Sequence, residues 1–193
     1  MICVLYFLLN LSDIMLVMDE HNKDIQHIMR RSIIEPLAFI TSVDKNGKPN
    51  VMTASWNMKV SYKPPMLAIA IQDSKNTHKL ILESKEFTVS IPSPELREQI
   101  EYFGSVSGVN EDKFAISGIK TQRATNIKPP ILSDARINFE CKLHSYVKPA
   151  DHYVFFGEIV AAHLNETKEQ LFYTGRSEKD NVRTFDSKPG TKQ

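Results

Sequence analysis

Apolar and polar residues follow the spacing of β-strands over most of this chain. Short apolar runs end at residues that favour turns, such as Asn46-Gly47 and Pro64-Pro65. The predicted strands are residues 37–43, 49–57, 66–71, 87–91, 135–146 and 153–164. Helical spacing is limited to a weak pattern over residues 19–31 and to two inserted segments that begin near residues 76 and 93. We therefore predict a mainly β fold, an antiparallel barrel with a few inserted helices.

The stretch of residues 49–57 is predicted to pair with residues 37–43 as a hairpin. Strand alternation places one set of side chains on each face: Val51, Thr53 and Ser55 against Asn50, Met52, Ala54 and Trp56. Such a surface can hold a flat ligand with polar edges. An ordinary half-buried strand whose hydroxyl groups face water explains these residues equally well.

Composition narrows the class of protein and of partner. The chain has 193 residues, 41% of them hydrophobic, and a formal net charge of +1. This predicts one globular domain with no nucleic-acid or membrane partner, because a near-neutral chain has no strong field to attract either. Cys3 and Cys141 form no CxxC pair. We therefore expect a reducing, cytoplasmic location and no cysteine-only zinc cluster.

The first residues do not resemble a targeting segment. Residues 2–9 are almost entirely apolar, but no Lys or Arg precedes Lys23, and polar residues interrupt the run after residue 9. We expect residues 1–18 to be a non-native or disordered extension, with Met15 and Met18 as alternative starts. The domain is predicted to span residues 19–185, followed by a flexible tail at 186–193.

A polar cluster at a predicted helix start is a candidate phosphate site. Ser74, Lys75 and Thr77 offer hydroxyl and ammonium donors just before an apolar helical run. Free backbone N–H groups and the positive end of the helix dipole favour an anion there. A plain helix cap explains the same residues. The small-residue stretch 104–108 follows a helix rather than a strand, so it is predicted to be a mobile loop and not a dinucleotide fingerprint.

An ordered set of short motifs extends from about residue 34 to residue 160. It comprises Thr41-Ser42, Gly47, Pro49-Asn50, Thr53-Ala54-Ser55-Trp56, Pro64-Pro65, Ser74 to Thr77, Asp112-Lys113-Phe114, Asp151-His152 and Gly157-Glu158-Ile159-Val160. In this order and spacing, the chain resembles the flavin reductase-like, FMN-binding split-barrel family, and its pattern is closest to that of the flavoredoxins.

The resemblance implies FMN as cofactor and NADH or NADPH as a candidate electron donor. It implies that the strand 53–56 flanks the flavin ring, that the turn 74–77 binds the phosphate, and that Lys113 approaches the pyrimidine edge. It also implies a homodimer with a small-molecule or protein redox partner. The expected cofactor-binding residues are Asn50, Thr53, Ala54, Ser55, Trp56, Ser74, Lys75, Thr77 and Lys113.

His152 is the candidate catalytic residue, with Asp151 positioned to fix its tautomer. The family commonly has Gly before Asp-His, where this chain has Ala150. A turn histidine whose aspartate caps the turn is the alternative.

The expected function is an FMN-dependent oxidoreductase. The alternatives are an FMN-binding electron-transfer protein without its own nicotinamide site, and a split-barrel protein that binds haem. No metal site is expected, because the six histidines form no HExxH motif and no i, i+4 pair.

Overall fold

The computed structural model describes residues 35–173, together with Lys23, Ile25 and Met29, which are helical. The predicted extension at 1–18, the tail at 186–193 and most of the weak helix predicted over residues 19–31 lie outside the described residues.

Strands make up most of the described chain. They are β1 (Glu35–Pro36), β2 (Ala38–Val43), β3 (Pro49–Ala54), β4 (Asn57–Tyr62), β5 (Pro65–Gln72), β6 (Glu86–Ile91), β7 (Thr121–Gln122), β8 (Ile131–Leu132), β9 (Ile137–Val147), β10 (His152–Leu164) and β11 (Phe172–Tyr173). The helices are α1 (Asn76–Ser84), α2 (Arg97–Ser105) and α3 (Lys113–Ser117), and a 3₁₀ turn at Pro94–Leu96 precedes α2.

Seven strands form one sheet in the order β3-β2-β6-β9-β10-β5-β4. Every neighbouring pair in this sheet is antiparallel. The predicted mainly β, antiparallel architecture is confirmed. The predicted hairpin is also present: β2 pairs with β3, and the turn between them places Gly47 at a φ of +83°, a conformation that glycine adopts readily.

The strand predicted over residues 49–57 is shorter than expected. It ends at Ala54, and Asn57 begins β4, which pairs with β5 and was not predicted. The break occurs because the Asn57 N–H donates to the Ser55 carbonyl at 3.0 Å and the Asn57 side-chain amide donates to the Pro36 carbonyl at 2.9 Å. Ser55 and Trp56 therefore lie in a turn between two strands.

Helix α3 was also not predicted, because it has only five residues, too few to show a helical period. Its start is stabilised by Asp112, whose side chain accepts a hydrogen bond from the Ala115 N–H at 3.1 Å.

The main core fills the inner face of the sheet, where Phe87 and Phe155 are fully buried. Gly157 of β10 makes this packing possible, because a Cβ atom there would lie 2.4 Å from Cζ of Phe87. A second cluster lies on the opposite face under α2, with Phe39 and Phe103 packed edge to face. The sheet is thus covered on both sides near β2 and β3, the strands next to the candidate site.

Two polar residues of β9, Asn138 and Glu140, are buried. Glu140 is fully buried and accepts hydrogen bonds from the Thr125 and Asn126 N–H groups, each at 2.7 Å. His163 of β10 contacts the same carboxylate, with 2.7 Å between Nε2 and Oε1. Burial alone would raise the pKa of Glu140, but these hydrogen bonds outweigh it and hold the pKa below its ordinary value. The carboxylate therefore holds the segment between β7 and β8 against the sheet.

Candidate functional site

A polar cavity of about 160 Å³ lies between β3, the turn before α1 and the loop after α2. Its lining combines hydroxyl, amide and ammonium groups with a run of small residues. The lining residues are Asn50, Met52, Ser74, Lys75, Asn76, Thr77, Phe103, Gly104, Ser105, Val106, Ser107, Gly108 and Lys113. Five of the predicted cofactor-binding residues are therefore in one place: Asn50, Ser74, Lys75, Thr77 and Lys113.

The turn before α1 has the backbone geometry expected for an anion site. Lys75 is the N-terminal cap residue, and no side chain caps the first N–H groups of the helix. Thr77 is buried, and its Oγ1 accepts a hydrogen bond from the Asn50 amide at 3.0 Å. His78 contacts the same turn, since its Nδ1 lies 2.6 Å from the Lys75 carbonyl oxygen. The first turn of α1 thus presents uncapped N–H groups to the cavity.

Lys113 is not a solvated loop lysine, since only 4% of it is exposed. Its Nζ donates to the Val51 carbonyl at 2.8 Å and to the Phe103 carbonyl at 3.1 Å. Burial and then the positive charge of Lys75 lower the pKa of Lys113 to about 8, although Glu111 acts in the opposite direction. An ammonium with two carbonyl acceptors has a third proton with which to donate to a ligand.

Thr53 and Ala54 do not line this cavity. The Thr53 hydroxyl donates to the Ile100 carbonyl at 2.7 Å, which ties β3 to α2. Ala54 packs in the main core. In this structure the two residues support the wall that Asn50 and Met52 present to the cavity.

Trp56 and His152 form a separate feature that is not part of the cavity lining, and Ser55, which precedes Trp56, lies outside that lining too. The rings of Trp56 and His152 are stacked, with centroids 4.7 Å apart and planes at 27°. His152 Nδ1 lies 2.9 Å from Asp151 Oδ1, the contact expected for an aspartate that fixes the tautomer. Trp56 is 46% exposed, so part of its side chain is accessible to a ligand.

Both features lie at the end of β5. Gln72, the last residue of β5, pairs with His152 across the sheet, and the 74–77 turn follows directly. The Asp73 N–H donates to the Asp151 carbonyl at 2.9 Å. Lys148 forms an ion pair with Asp73 at 2.8 Å, and this contact lowers the pKa of Asp73. A backbone hydrogen bond therefore joins the turn before α1 to the turn before β10.

Sequence reasoning missed the part of the lining that comes from residues 103–108 and Met52. Residues 104–108 were predicted to be a mobile loop; Gly104 and Ser105 end α2, and residues 106–108 complete the cavity wall. The glycine and serine residues in this stretch were the sequence feature that could have indicated a ligand-binding wall. Small residues let a backbone approach a ligand closely, but the pattern does not say which ligand.

Two other features, a metal-binding cluster and a membrane-spanning helix, are not found among the described residues. Among its side chains, no group of three or more His, Cys, Asp or Glu residues could hold a metal ion. None of its helices is both long enough and apolar enough to cross a membrane.

Comparison with known proteins identifies the family. The sequence profile described as "Flavin reductase like domain" matches residues 29–180, which is most of the chain. The chain belongs to the flavin reductase-like family. The resemblance inferred from the ordered motifs is therefore confirmed.

Solved structures show the same fold. Flavoredoxin of Desulfovibrio vulgaris (Miyazaki F) has a TM-score of 0.72 at 24% identity, covering 84% of this chain and 91% of that one. The NADH:FAD oxidoreductase SgcE6 of Streptomyces globisporus C-1027 has a TM-score of 0.74 at 20% identity, covering 85% and 93%. An FMN-binding protein of Thermus thermophilus has a TM-score of 0.69 at 24% identity, covering 76% and 85%. The split-barrel fold of this flavin reductase-like protein is thus confirmed.

Proposed function

We propose that this protein is an FMN-dependent oxidoreductase that moves hydride or electrons between NADH or NADPH and an acceptor through bound FMN. The observation that supports this most is the cavity in which the first turn of α1, Thr77 and Lys113 present donors to one space. Among the structural neighbours, one is named an FMN-binding protein and another an NADH:FAD oxidoreductase.

The residues present fit a flavin mononucleotide. A phosphate monoester carries close to two negative charges at pH 7 and accepts several hydrogen bonds. Lys75, the Ser74 and Thr77 hydroxyls and the N–H groups of α1 form a matching set of donors. A cavity of about 160 Å³ is smaller than the ~300–1,000 Å³ of typical ligand sites, so it suits the phosphate and chain of the cofactor rather than the whole molecule.

The flavin, when bound, would supply the redox chemistry, and the protein residues would orient it and adjust its potential. The Lys113 ammonium would stabilise negative charge on a ring placed against the cavity. Trp56 and His152 would offer a stacked aromatic surface for the ring or for a nicotinamide. Asp151 would hold the His152 imidazole with one nitrogen directed away from Asp151.

The phosphate assignment is tested with a double substitution. Lys75→Ala combined with Thr77→Ala should weaken FMN binding at least about tenfold and riboflavin binding far less, because most of the ligand contacts that are lost are those to the phosphate. Fluorescence titration with both flavins measures this. Lys79→Ala is the matched control, since it removes a charge from the same helix outside the cavity. An equal loss for FMN and riboflavin would locate the phosphate elsewhere.

Lys113→Met should lower the midpoint potential of bound FMN while FMN stays bound. An ammonium near the ring stabilises the extra negative charge of the reduced form by about 1–3 kcal/mol, or about 20–60 mV for a two-electron couple. The pKa of Lys113 is about 8, so the ammonium is present at pH 7. A bound anionic ligand would raise this pKa, so the difference between the two proteins should shrink only at a pH well above 8. Spectroelectrochemical titration at pH 7 and pH 10 measures it, and equal potentials at pH 7 would exclude Lys113 from the ring.

His152→Ala should slow flavin reduction by NADH or NADPH at least about tenfold, because the imidazole would position the nicotinamide. Reduction by dithionite and FMN affinity should be unchanged. His144→Ala, an exposed histidine on β9, is the control. Stopped-flow traces that match those of the unmutated protein would contradict the role. No reduction of the unmutated protein by either nucleotide would favour the alternative, an FMN-binding electron-transfer protein without a nicotinamide site.

We also propose a homodimer, because the edge strand β4 exposes apolar side chains that proteins normally cover. Met58 is 63% exposed and Tyr62 is 82% exposed. Light scattering should give twice the mass of one chain, and Tyr62→Lys should shift the mass towards one chain at micromolar concentration. A single-chain mass for the unmutated protein with FMN bound would contradict the proposal.

A further inference from the structure

Trp56 is the only tryptophan of the chain, and its indole makes two directional contacts. The indole Nε1–H donates to Glu35 Oε1 at 3.3 Å. The indole ring stacks on the imidazole of His152, whose Nδ1 lies 2.9 Å from Asp151 Oδ1. Each ring of the pair therefore has one nitrogen directed at a carboxylate, and the two carboxylates come from distant parts of the chain.

Glu35 belongs to a strand whose backbone is held on two sides. β1 pairs with β11, where Glu35 lies opposite Tyr173. The carbonyl of the next residue, Pro36, accepts a hydrogen bond from the Asn57 side-chain amide at 2.9 Å. Leu37 follows and is buried. The Glu35 carboxylate therefore extends from a fixed backbone, which lets it orient the group that it binds.

The backbone of Trp56 is anchored as well, but that anchor does not orient the ring. The Ala70 N–H donates to the Trp56 carbonyl at 2.9 Å. A backbone contact leaves the side-chain torsions of a tryptophan free to take more than one rotamer. Trp56 is also 46% exposed, so the surrounding packing constrains its ring only in part. The hydrogen bond to Glu35 and the stacking on His152 are the contacts that can set the direction of the indole.

These two contacts support each other. An aromatic pair is stabilised only over a limited range of ring separations and angles, so the stack requires an indole that stays in place. A hydrogen bond to a carboxylate is stronger and more directional than one between neutral groups. Without the Glu35 acceptor, the indole N–H would turn towards water, and the ring would lose its alignment with His152.

We propose that Glu35 is a positioning residue whose carboxylate holds the Trp56 indole against His152, so that the ring pair keeps one orientation towards the planar ring of a ligand. This rests on the proposed function, in which the ring pair meets a flavin or a nicotinamide. Glu35 acts through Trp56 and does not itself touch the reacting atoms. It is part of none of the short motifs that carry the family resemblance, so the contact with Trp56 alone assigns this role.

The orientation of the rings is measured by NMR. The single tryptophan gives one indole N–H resonance, and its ring current displaces the carbon-bound proton resonances of His152, which are identified by their absence in His152→Ala. Glu35→Leu should shift the indole resonance and reduce the His152 displacement to less than about half, because the acceptor is lost. Glu35→Gln keeps a carbonyl acceptor and should retain both signals. Glu98→Leu, at an exposed position on α2, is the matched control.

Stopped-flow reduction by NADH or NADPH connects this orientation to the reaction. Glu35→Leu should slow flavin reduction about threefold to tenfold and leave reduction by dithionite unchanged, because a misaligned ring pair no longer positions the nicotinamide. Glu35→Gln should stay within about twofold of the unmutated protein. Trp56→Phe keeps a ring but lacks the N–H donor. The variant that combines it with Glu35→Leu should be within about twofold of Trp56→Phe alone, because both substitutions remove the same contact.

Three results would overturn the proposal. They are a His152 displacement that is the same in Glu35→Leu and in the unmutated protein, a reduced displacement with no change in the rate of reduction by the nucleotide, and losses that multiply in the double variant. If Glu35→Leu does not fold, Glu35→Ala takes its place with the same expected results.

Failure of the proposed function would look different, because neither nucleotide would then reduce a flavin on the unmutated protein. The NMR measurement needs no flavin and no nucleotide, so it still decides whether Glu35 holds the ring pair. A His152 displacement that is lost in Glu35→Leu and kept in Glu35→Gln would support the role of Glu35, and an equal displacement in all three proteins would overturn it.

Discussion

The hydrogen bonds of the buried Lys113 ammonium connect the elements that form one wall of the cavity. Its acceptors are the Val51 carbonyl of β3 and the Phe103 carbonyl of α2, and the lysine itself begins α3. One side chain therefore joins three elements that are distant in sequence. Burying a cation is costly, and that cost, together with the positive charge of Lys75, appears as the lowered pKa of Lys113. An anion in the cavity would offset this cost.

Local patterns were sufficient for the strands that have one buried face or two. The strands β2, β3, β5, β6, β9 and β10 were all predicted close to their observed positions. β4 was missed although Met58, Val60 and Tyr62 alternate with polar residues at the spacing of a strand; all three are exposed in the structure. Glu140 shows a second case in which local pattern is not sufficient. It sits at a polar position of β9, but N–H groups from a segment about fifteen residues earlier return to cover it, and no local pattern encodes that contact.

The part of the candidate site that is formed by residues adjacent in sequence was predictable. The part that is formed by residues distant in sequence was not. Ser74, Lys75 and Thr77 lie at a helix start, which the sequence indicates directly. The burial of Lys113 depends on carbonyl groups from β3 and α2, which are distant in sequence, so no local pattern indicates it. Residues 106–108 contribute backbone rather than reactive side chains, which is why no chemical motif marked them.

Trp56, His152 and the 74–77 turn are all attached to the last part of β5. The Ala70 N–H donates to the Trp56 carbonyl, Gln72 pairs with His152, and the 74–77 turn follows Gln72 closely in sequence. Strand ends in a sheet are rigid supports, so two ligand surfaces on the same strand end keep a constant spacing. The hydrogen bond from the Asp73 N–H to the Asp151 carbonyl also connects the two turns directly. A molecule anchored by its phosphate at the 74–77 turn would therefore meet the stacked rings at a distance that the sheet has already set.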